Sequence, residues 1–249
     1  MTTVAVLCDP PRSGLVLSSL VASSPLTEPE AADLYAAMLR DVVSAVAGSG
    51  GELLVNYRPD DALPRAHADG DAAAEVREAV APALADPDDA RFERQVGETF
   101  AGRAGNTVTH LLEREGVTTA AVVEPTAAFL ARSQVDNAAM TLRRSEVVLG
   151  PATEGRVYYA GFADTVDFTD AYASPAIETL TDRGVDAGHD VDFLPSLPVI
   201  ETGADLAGAL TLLRARRRAE RPVPSHTAAC LDDVGIAVVA DDDGLRLVR

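Results

Sequence analysis

Two rhythms of apolar residues alternate along the chain. Short unbroken runs read as strands buried on both faces: Thr3 to Cys8, Glu52 to Tyr57, Thr119 to Glu124, Glu146 to Gly150, Val157 to Phe162 and Val191 to Leu194. Between them the period lengthens to that of a helix. Leu34, Met38, Val42 and Val46, with Tyr35 beside them, form one stripe that stops at Gly48, and Thr27 and Glu30 precede it at capping-box spacing. Further helices are expected over Ala72 to Ala85, over Asn106 to Glu115 with Gly116 as its stop, over Ala176 to Arg183, and from Ala204 to Arg218. Gly235 to Ala240, the turn Asp241 to Gly244, and Leu245 to Val248 read as a closing β-hairpin.

Strands alternating with helices predict an α/β three-layer sandwich around a mainly parallel central sheet. One main domain over residues 1–220 is expected, with residues 221–249 as a C-terminal helix and β-hairpin extension packed on it. No internal repeat is present. In such sheets ligands bind beyond the carboxyl ends of the strands. The loops Asp9 to Ser24, Glu124 to Ala127 and Pro151 to Gly155 are therefore where a site is sought.

Composition narrows the class. The 249 residues are 47% hydrophobic, enough for one substantial core, and the formal net charge is -18. All 21 basic residues are arginine. An acidic surface keeps a protein soluble in concentrated salt, where the Debye length is only about 3 Å, so the balance points to a salt-adapted protein. A GC-rich genome would exchange Lys for Arg without producing the acidic excess. The negative field excludes nonspecific binding to nucleic acid or to an anionic membrane. Cys8 and Cys230 lack the spacing of a zinc or disulfide framework. The start MTTVAVLCDPP lacks the pattern of a signal peptide, and no apolar stretch has the length of a membrane span, so a cytoplasmic location is expected.

Candidate chemistry gathers at three loops. In PPRSG, the backbone around Pro11, Ser13 and Gly14, with Ser18 further on, would cradle a phosphate to which Arg12 adds a bidentate donor; a Pro-Pro turn carrying a surface arginine has the same sequence. In VVEPTA, Glu124 stands at a strand end, where a carboxylate would ligate Mg²⁺ or Mn²⁺ or merely be solvated. In EVVLGPATEGRVYYAGF, the turn through Gly150, Pro151, Ala152 and Gly155 lets the backbone approach a ligand, with Glu154 in the same region; a plain tight connection is the other reading. His67, His110, His189 and His226 share no metal-ligand spacing, and there is no Walker A, GxGxxG or GxSxG sequence. Arg214, Arg217, Arg218 and Arg221 share one helical face with Arg216 beside them, matching a helix C-terminus among acids or a phosphate patch.

The stretch VVLGPATEGRVYYAGF resembles the nucleotide-diphospho-sugar transferase-like family of glycosyltransferase-A fold, including its radical-SAM-associated transferase group and, more distantly, phospholactate guanylyltransferase and the molybdenum-cofactor nucleotidyltransferase. PPRSGLVLSSL is similar to that family's first loop, LTEPEAADLYAAMLRDVV to its first helix, Gln95 to Arg103 to a segment with spaced Gln and Arg, SPAIETL to a later helix entry, and IETGADL to a late signature. The resemblance implies a glycosyltransferase or nucleotidyltransferase-like protein that binds a nucleotide or nucleotide-sugar, with Glu124, Glu154 and Glu201 as candidate metal ligands and a homodimer as an assembly open to it. It also implies a degenerate member of haloarchaeal type. Leu17 and Ser19 stand where the family carries Lys and Arg, Val123 where it carries a metal-binding Asp, and Val199 and Glu201 where its late aspartates fall. A non-catalytic member that binds a metabolite or a protein partner is the alternative.

Overall fold

The structure is a computed structural model and describes residues 1–86, 90–242 and 244–249. The strands are β1 (Thr2–Cys8), β2 (Glu52–Tyr57), β3 (Arg91–Arg94), β4 (Thr119–Val123), β5 (Val147–Pro151), β6 (Val157–Phe162), β7 (Val191–Phe193), β8 (Ala237–Asp241) and β9 (Gly244–Val248). The helices are α1 (Ser18–Ser23), α2 (Glu28–Ala47), α3 (Ala72–Val80), α4 (Phe100–Thr109), α5 (Arg132–Thr141), α6 (Ala176–Asp186), α7 (Gly203–Arg218) and α8 (Ser225–Val234).

The first seven strands make one sheet in the order β3-β2-β1-β4-β6-β5-β7. β6 runs against both of its neighbours, and every other pair is parallel. Both faces of β1 are buried, which is why its sequence is apolar without alternation. Val4 and Val6 pack under α2, α3 and α5 through Leu39, Val42, Val76 and Val135. Ala5 and Leu7 pack under α4 and α6 through Ala104, Val108 and Leu180. The three-layer α/β sandwich read from the strand and helix rhythms is the architecture observed.

The capping box that opens α2 forms as its spacing predicts: Glu30 N–H donates to Thr27 Oγ1 at 3.4 Å and Thr27 N–H to Glu30 Oε2 at 2.8 Å. α4 begins earlier than expected, capped by Thr99, and continues as a π-helical turn over His110–Arg114 that ends at Gly116, whose φ of 68° favours glycine. A third apolar cluster joins the outer face of α2 to α1, α7, α8 and the β8-β9 hairpin through Leu20, Leu34, Met38, Leu210, Leu231 and Val238. The expected turn from Asp241 to Gly244 includes Asp243, which lies outside the described residues. The arginines of α7 serve this packing: Arg217 pairs with Asp232 of α8 at 2.6 Å, Arg214 donates to Val238 O at 2.9 Å, and Arg216 lies 5.2 Å from the Phe129 ring centre. Among the described residues, no helix is long and apolar enough to cross a membrane.

Candidate functional site

β1, β4 and β5 all point the same way, because β4 is parallel to β1 and β5 shares with β4 an antiparallel partner in β6. The segments that follow them line one cavity of about 590 Å³. Its floor is formed by the residues that follow β1 and β4, Asp9 and Glu124, with Gln95 after β3 and Arg103 on α4. One wall is Leu17, Ser18 and Ser19 at the start of α1, and the opposite wall is Glu154, Arg156 and Glu201. Phe100 and Tyr172 close a corner, with their rings edge to face at 4.8 Å.

A buried polar brace holds the floor. The Gln95 amide donates to Cys8 O at 3.1 Å and to Asn56 O at 2.7 Å, tying the ends of β1 and β2, and its carbonyl accepts from Arg103 Nε at 2.7 Å. Arg103 Nη1 donates to Glu98 O at 3.1 Å. Burial lowers the Arg103 pKa, with the charge of Arg58 adding to the effect. Asp9 donates its N–H to Tyr35 Oη at 2.9 Å and pairs with Arg58 at 3.7 Å; burial nonetheless raises its carboxyl above the usual range. Burial, then the charges of Glu201 and Asp9, push Glu124 up to about 8, and only Arg103 opposes them.

The opposite wall is organised by Arg156. Its guanidinium makes a bidentate pair with Asp205, at 2.8 Å and 2.7 Å, and also reaches Glu201 at 3.1 Å and Glu154 at 3.7 Å. Asp205 in turn caps α7 with Thr202 in a second capping box.

Of the residues singled out from sequence, Ser18, Glu124, Glu154 and Glu201 line the cavity. Pro11, Arg12, Ser13, Gly14, Gly150, Pro151, Ala152 and Gly155 are not among its lining residues. Arg12, expected at a phosphate, is instead held at the side of the sheet. Its Nε and Nη2 bind Glu75, Nη2 also binds Asp60 at 2.6 Å, and Nη1 binds His67 O, so no nitrogen is left for a ligand. The Gly-Pro-Ala turn has likewise a packing role: a Cβ on Gly150 would lie 2.5 Å from the Tyr158 ring, and one on Gly155 would lie 2.6 Å from Pro175 Cβ. Pro151 pairs with Val157, and Ala152 N–H closes the turn onto Arg156 O.

The three glutamates do not assemble as metal ligands, and no group of three or more His, Cys, Asp or Glu that would hold an ion occurs among the described residues. Glu154 and Glu201 are drawn to Arg156 on one wall, while Glu124 lies on the floor and favours a proton. A resident Mg²⁺ or Mn²⁺ does not fit this donor set. Val123 could not supply one either, since its side chain is 1% exposed within the core. Leu17 and Ser19, in the places of the family's Lys and Arg, do line the cavity, Leu17 with a left-handed φ of 54°. Arg103, Asp9, Arg156 and Tyr172 were not singled out as site residues. For Arg103 the spaced Gln95 and Arg103 were the available signal.

No family model and no curated protein matches the sequence. Solved structures do match the fold. A protein of Desulfovibrio desulfuricans G20 assigned as a nucleotide-diphospho-sugar transferase superposes with a TM-score of 0.72 at 19% identity, over 94% of this chain and 96% of that one. A 4-diphosphocytidyl-2C-methyl-D-erythritol synthase gives 0.51 at 12% identity, over 85% and 97%. CMP:2-keto-3-deoxy-manno-octonic acid synthetase complexed with CTP gives 0.50 at 12% identity, over 86% and 99%. The fold is thus that of nucleotide-diphospho-sugar transferases and cytidylyltransferases.

Proposed function

We propose that the protein binds a nucleotide or nucleotide-sugar in the cleft at the carboxyl ends of β1, β4 and β5, as a transferase-like protein. The observation that carries this reading is the convergence of the segments that follow those three strands on one polar cavity, the position where open α/β sheets bind ligands. Its volume is within the range of small-molecule sites. The structural neighbour complexed with CTP shares the fold, which adds support. Ser18 and Ser19 offer hydroxyls on one wall. Arg103 offers the guanidinium on the floor that has no carboxylate within 4.0 Å among the described residues.

A second reading is favoured by the donor set: a cleft that still binds but no longer catalyses transfer. Phosphoryl or nucleotidyl transfer needs concentrated positive charge where the transition state spreads negative charge. Here Arg12 is engaged away from the cleft, Arg156 is neutralised by Asp205 and Glu201, and no group of three or more His, Cys, Asp or Glu able to hold a metal ion is present among the described residues.

Both are tested by thermal melting in molar KCl with CTP, GTP, UDP-glucose and UDP, each with and without Mn²⁺ or Mg²⁺, because a ligand of the native state raises its apparent stability. At a hundredfold excess over Kd the gain is about 2.7 kcal/mol, readily seen as a shifted midpoint. A shift with any of these supports the nucleotide reading, and no shift with all of them overturns it. Release of pyrophosphate or of UDP on turnover then separates the transferase from the binding protein.

A further inference from the structure

Three polar groups at the Phe100-Tyr172 corner of the cleft have hydrogen-bonding capacity that the protein does not use. Arg103 Nη2 makes no hydrogen bond among the described residues, although Gln95 and Glu98 O fix the rest of the guanidinium. The Tyr172 hydroxyl oxygen is buried and has no hydrogen-bond partner. The Glu124 carboxyl makes neither a hydrogen bond nor an ion pair among the described residues, although its backbone carbonyl accepts from Ala127 N–H, and the residue lines the same cavity. The three lie together: the Arg103 guanidinium is 5.8 Å from the Phe100 ring centre, Tyr172 packs on that ring, and the charge of Glu124 acts on the Tyr172 hydroxyl. A buried hydroxyl without a partner is costly to leave unsatisfied, and a ligand atom that accepts from it and from the free edge of the half-buried Arg103 guanidinium removes that cost.

We propose that this corner is an oxyanion subsite, in which Arg103 and the Tyr172 hydroxyl together hold a phosphate-type or carboxylate group of the ligand. The proposal rests on the reading of the cleft as a ligand site and goes further in assigning the groups that receive the anion. A guanidinium and a phenol both donate, so the group between them must accept. Braced by Gln95 against the ends of β1 and β2, Arg103 is presented without reorganisation.

Glu124 decides when the subsite is open. It is faced by Asp9 beyond β1, by Tyr35 of α2, by Arg103 of α4, by Tyr172 after β6 and by Glu201 ahead of α7; Asp9 is itself paired with Arg58. With its pKa pushed up to about 8, Glu124 is protonated in the empty cleft near neutrality. In that state it adds a third donor and does not repel the anion. Once ionised it places a like charge beside it. Binding of an oxyanion is therefore strongest below about pH 8 and weakens above it.

Sulfate and glucuronate test this, since neither changes its charge between about pH 6 and pH 9. Sulfate represents the tetrahedral source and glucuronate the carboxylate source, and binding of either supports the subsite. Affinity is measured by calorimetry at constant KCl. The parent should bind one of them at pH 6.5 and lose about tenfold or more by pH 9. Arg103→Gln should reduce the affinity at least about tenfold, and Tyr172→Phe several-fold. Glu124→Gln should retain it and flatten the pH profile. Arg103→Lys, which keeps the charge, serves as the second variant should Arg103→Gln not fold, and should bind more weakly than the parent. Absence of binding by both probes, or unchanged affinity in a folded Arg103 variant, overturns the subsite. Nucleotide binding that is indifferent to Arg103→Gln overturns the subsite and leaves the nucleotide reading intact. Oxyanion binding without nucleotide binding does the reverse.

Discussion

Glu124 follows directly on a strand whose five residues are all buried, and its carboxyl sits where three other acids also face the cavity. Burial comes first among the causes of its raised pKa, so the folded state prefers its neutral form. The unfolded chain ionises it near 4.5 while the folded chain holds the proton until about 8. Across that window the folded state binds the extra proton, so this group's contribution is full below the lower value and is lost as pH rises to the upper one. Glu124→Gln removes the dependence. In denaturant unfolding, its stability relative to the parent should therefore grow by about 1.4 kcal/mol per pH unit at most between pH 5 and pH 8, then level off. A difference that stays constant over this range would show that Glu124 is ionised throughout. Glu124 was legible as a site residue because it ends an apolar run just before Pro125. Arg12 misled for the reverse reason. Its neighbours in sequence, Pro-Pro and Ser-Gly, have the composition of a ligand loop, whereas its partners Asp60 and Glu75 are 48 and 63 positions away. Long-range partners are not encoded in local spacing, and the same limit hid Tyr172.

Helix α8 shows this at the scale of the element. It has no side-chain cap of its own, since Pro224 stands at its N-terminus. Its first free amides are taken instead by Asp41 from the middle of α2: His226 N–H donates to Oδ1 at 3.1 Å and Thr227 N–H to Oδ2 at 2.7 Å. A carboxylate supplies both acceptors, and Asp41 is only 8% exposed. Asp41→Ala should cost about 1–2 kcal/mol, the upper part of the range for a helix cap, and Asp41→Asn should fall between because the amide has one acceptor oxygen. Equal stability of all three in urea unfolding would show that α8 does not need this cap. The strands most easily read were the central ones, β1, β2, β4, β5 and β6, because burial on both faces forces apolar runs. β3 has no such run: Arg-Phe-Glu-Arg lies at the sheet edge, where Arg91 pairs with Glu93 and Glu115, and only Phe92 is a large apolar residue. α5 has the sequence RSQVDNAAMT and only Val135, Ala138 and Thr141 buried, too few for a visible stripe. The reversed direction of β6 follows from its short connection to β5 through Thr153–Gly155, too brief for a parallel crossover.

Over the whole molecule, 39 acidic residues face 21 arginines, and three of the arginines act as clamps. Arg12 bridges Asp60 and Glu75, Arg91 bridges Glu52, Glu93 and Glu115, and Arg156 bridges Glu154, Glu201 and Asp205. Each holds two or three carboxylates, which is why one cation for nearly two anions suffices to fasten the loops around the sheet. Single pairs such as Asp61–Arg94 and Asp232–Arg217 neutralise further acids, but the acidic excess remains, and its mutual repulsion is long-ranged at low ionic strength. Salt acts on the two sets unequally. Between about 0.1 M and about 3 M KCl the screening length falls from about 10 Å to under about 3 Å, which removes repulsion between separated acids while the partly buried, hydrogen-bonded clamps at direct contact lose less. Excess anionic charge thus makes the folded state gain on balance, and the melting midpoint should rise over that range. Substituting the Arg156 clamp with Met should lower the midpoint at every salt concentration, since Asp205 then loses its bidentate partner in a half-buried setting where water compensates poorly. A midpoint that is flat from about 0.1 M to about 3 M KCl in the parent would mean that the clamps already balance the field and that the acidic surface places no salt requirement on the fold.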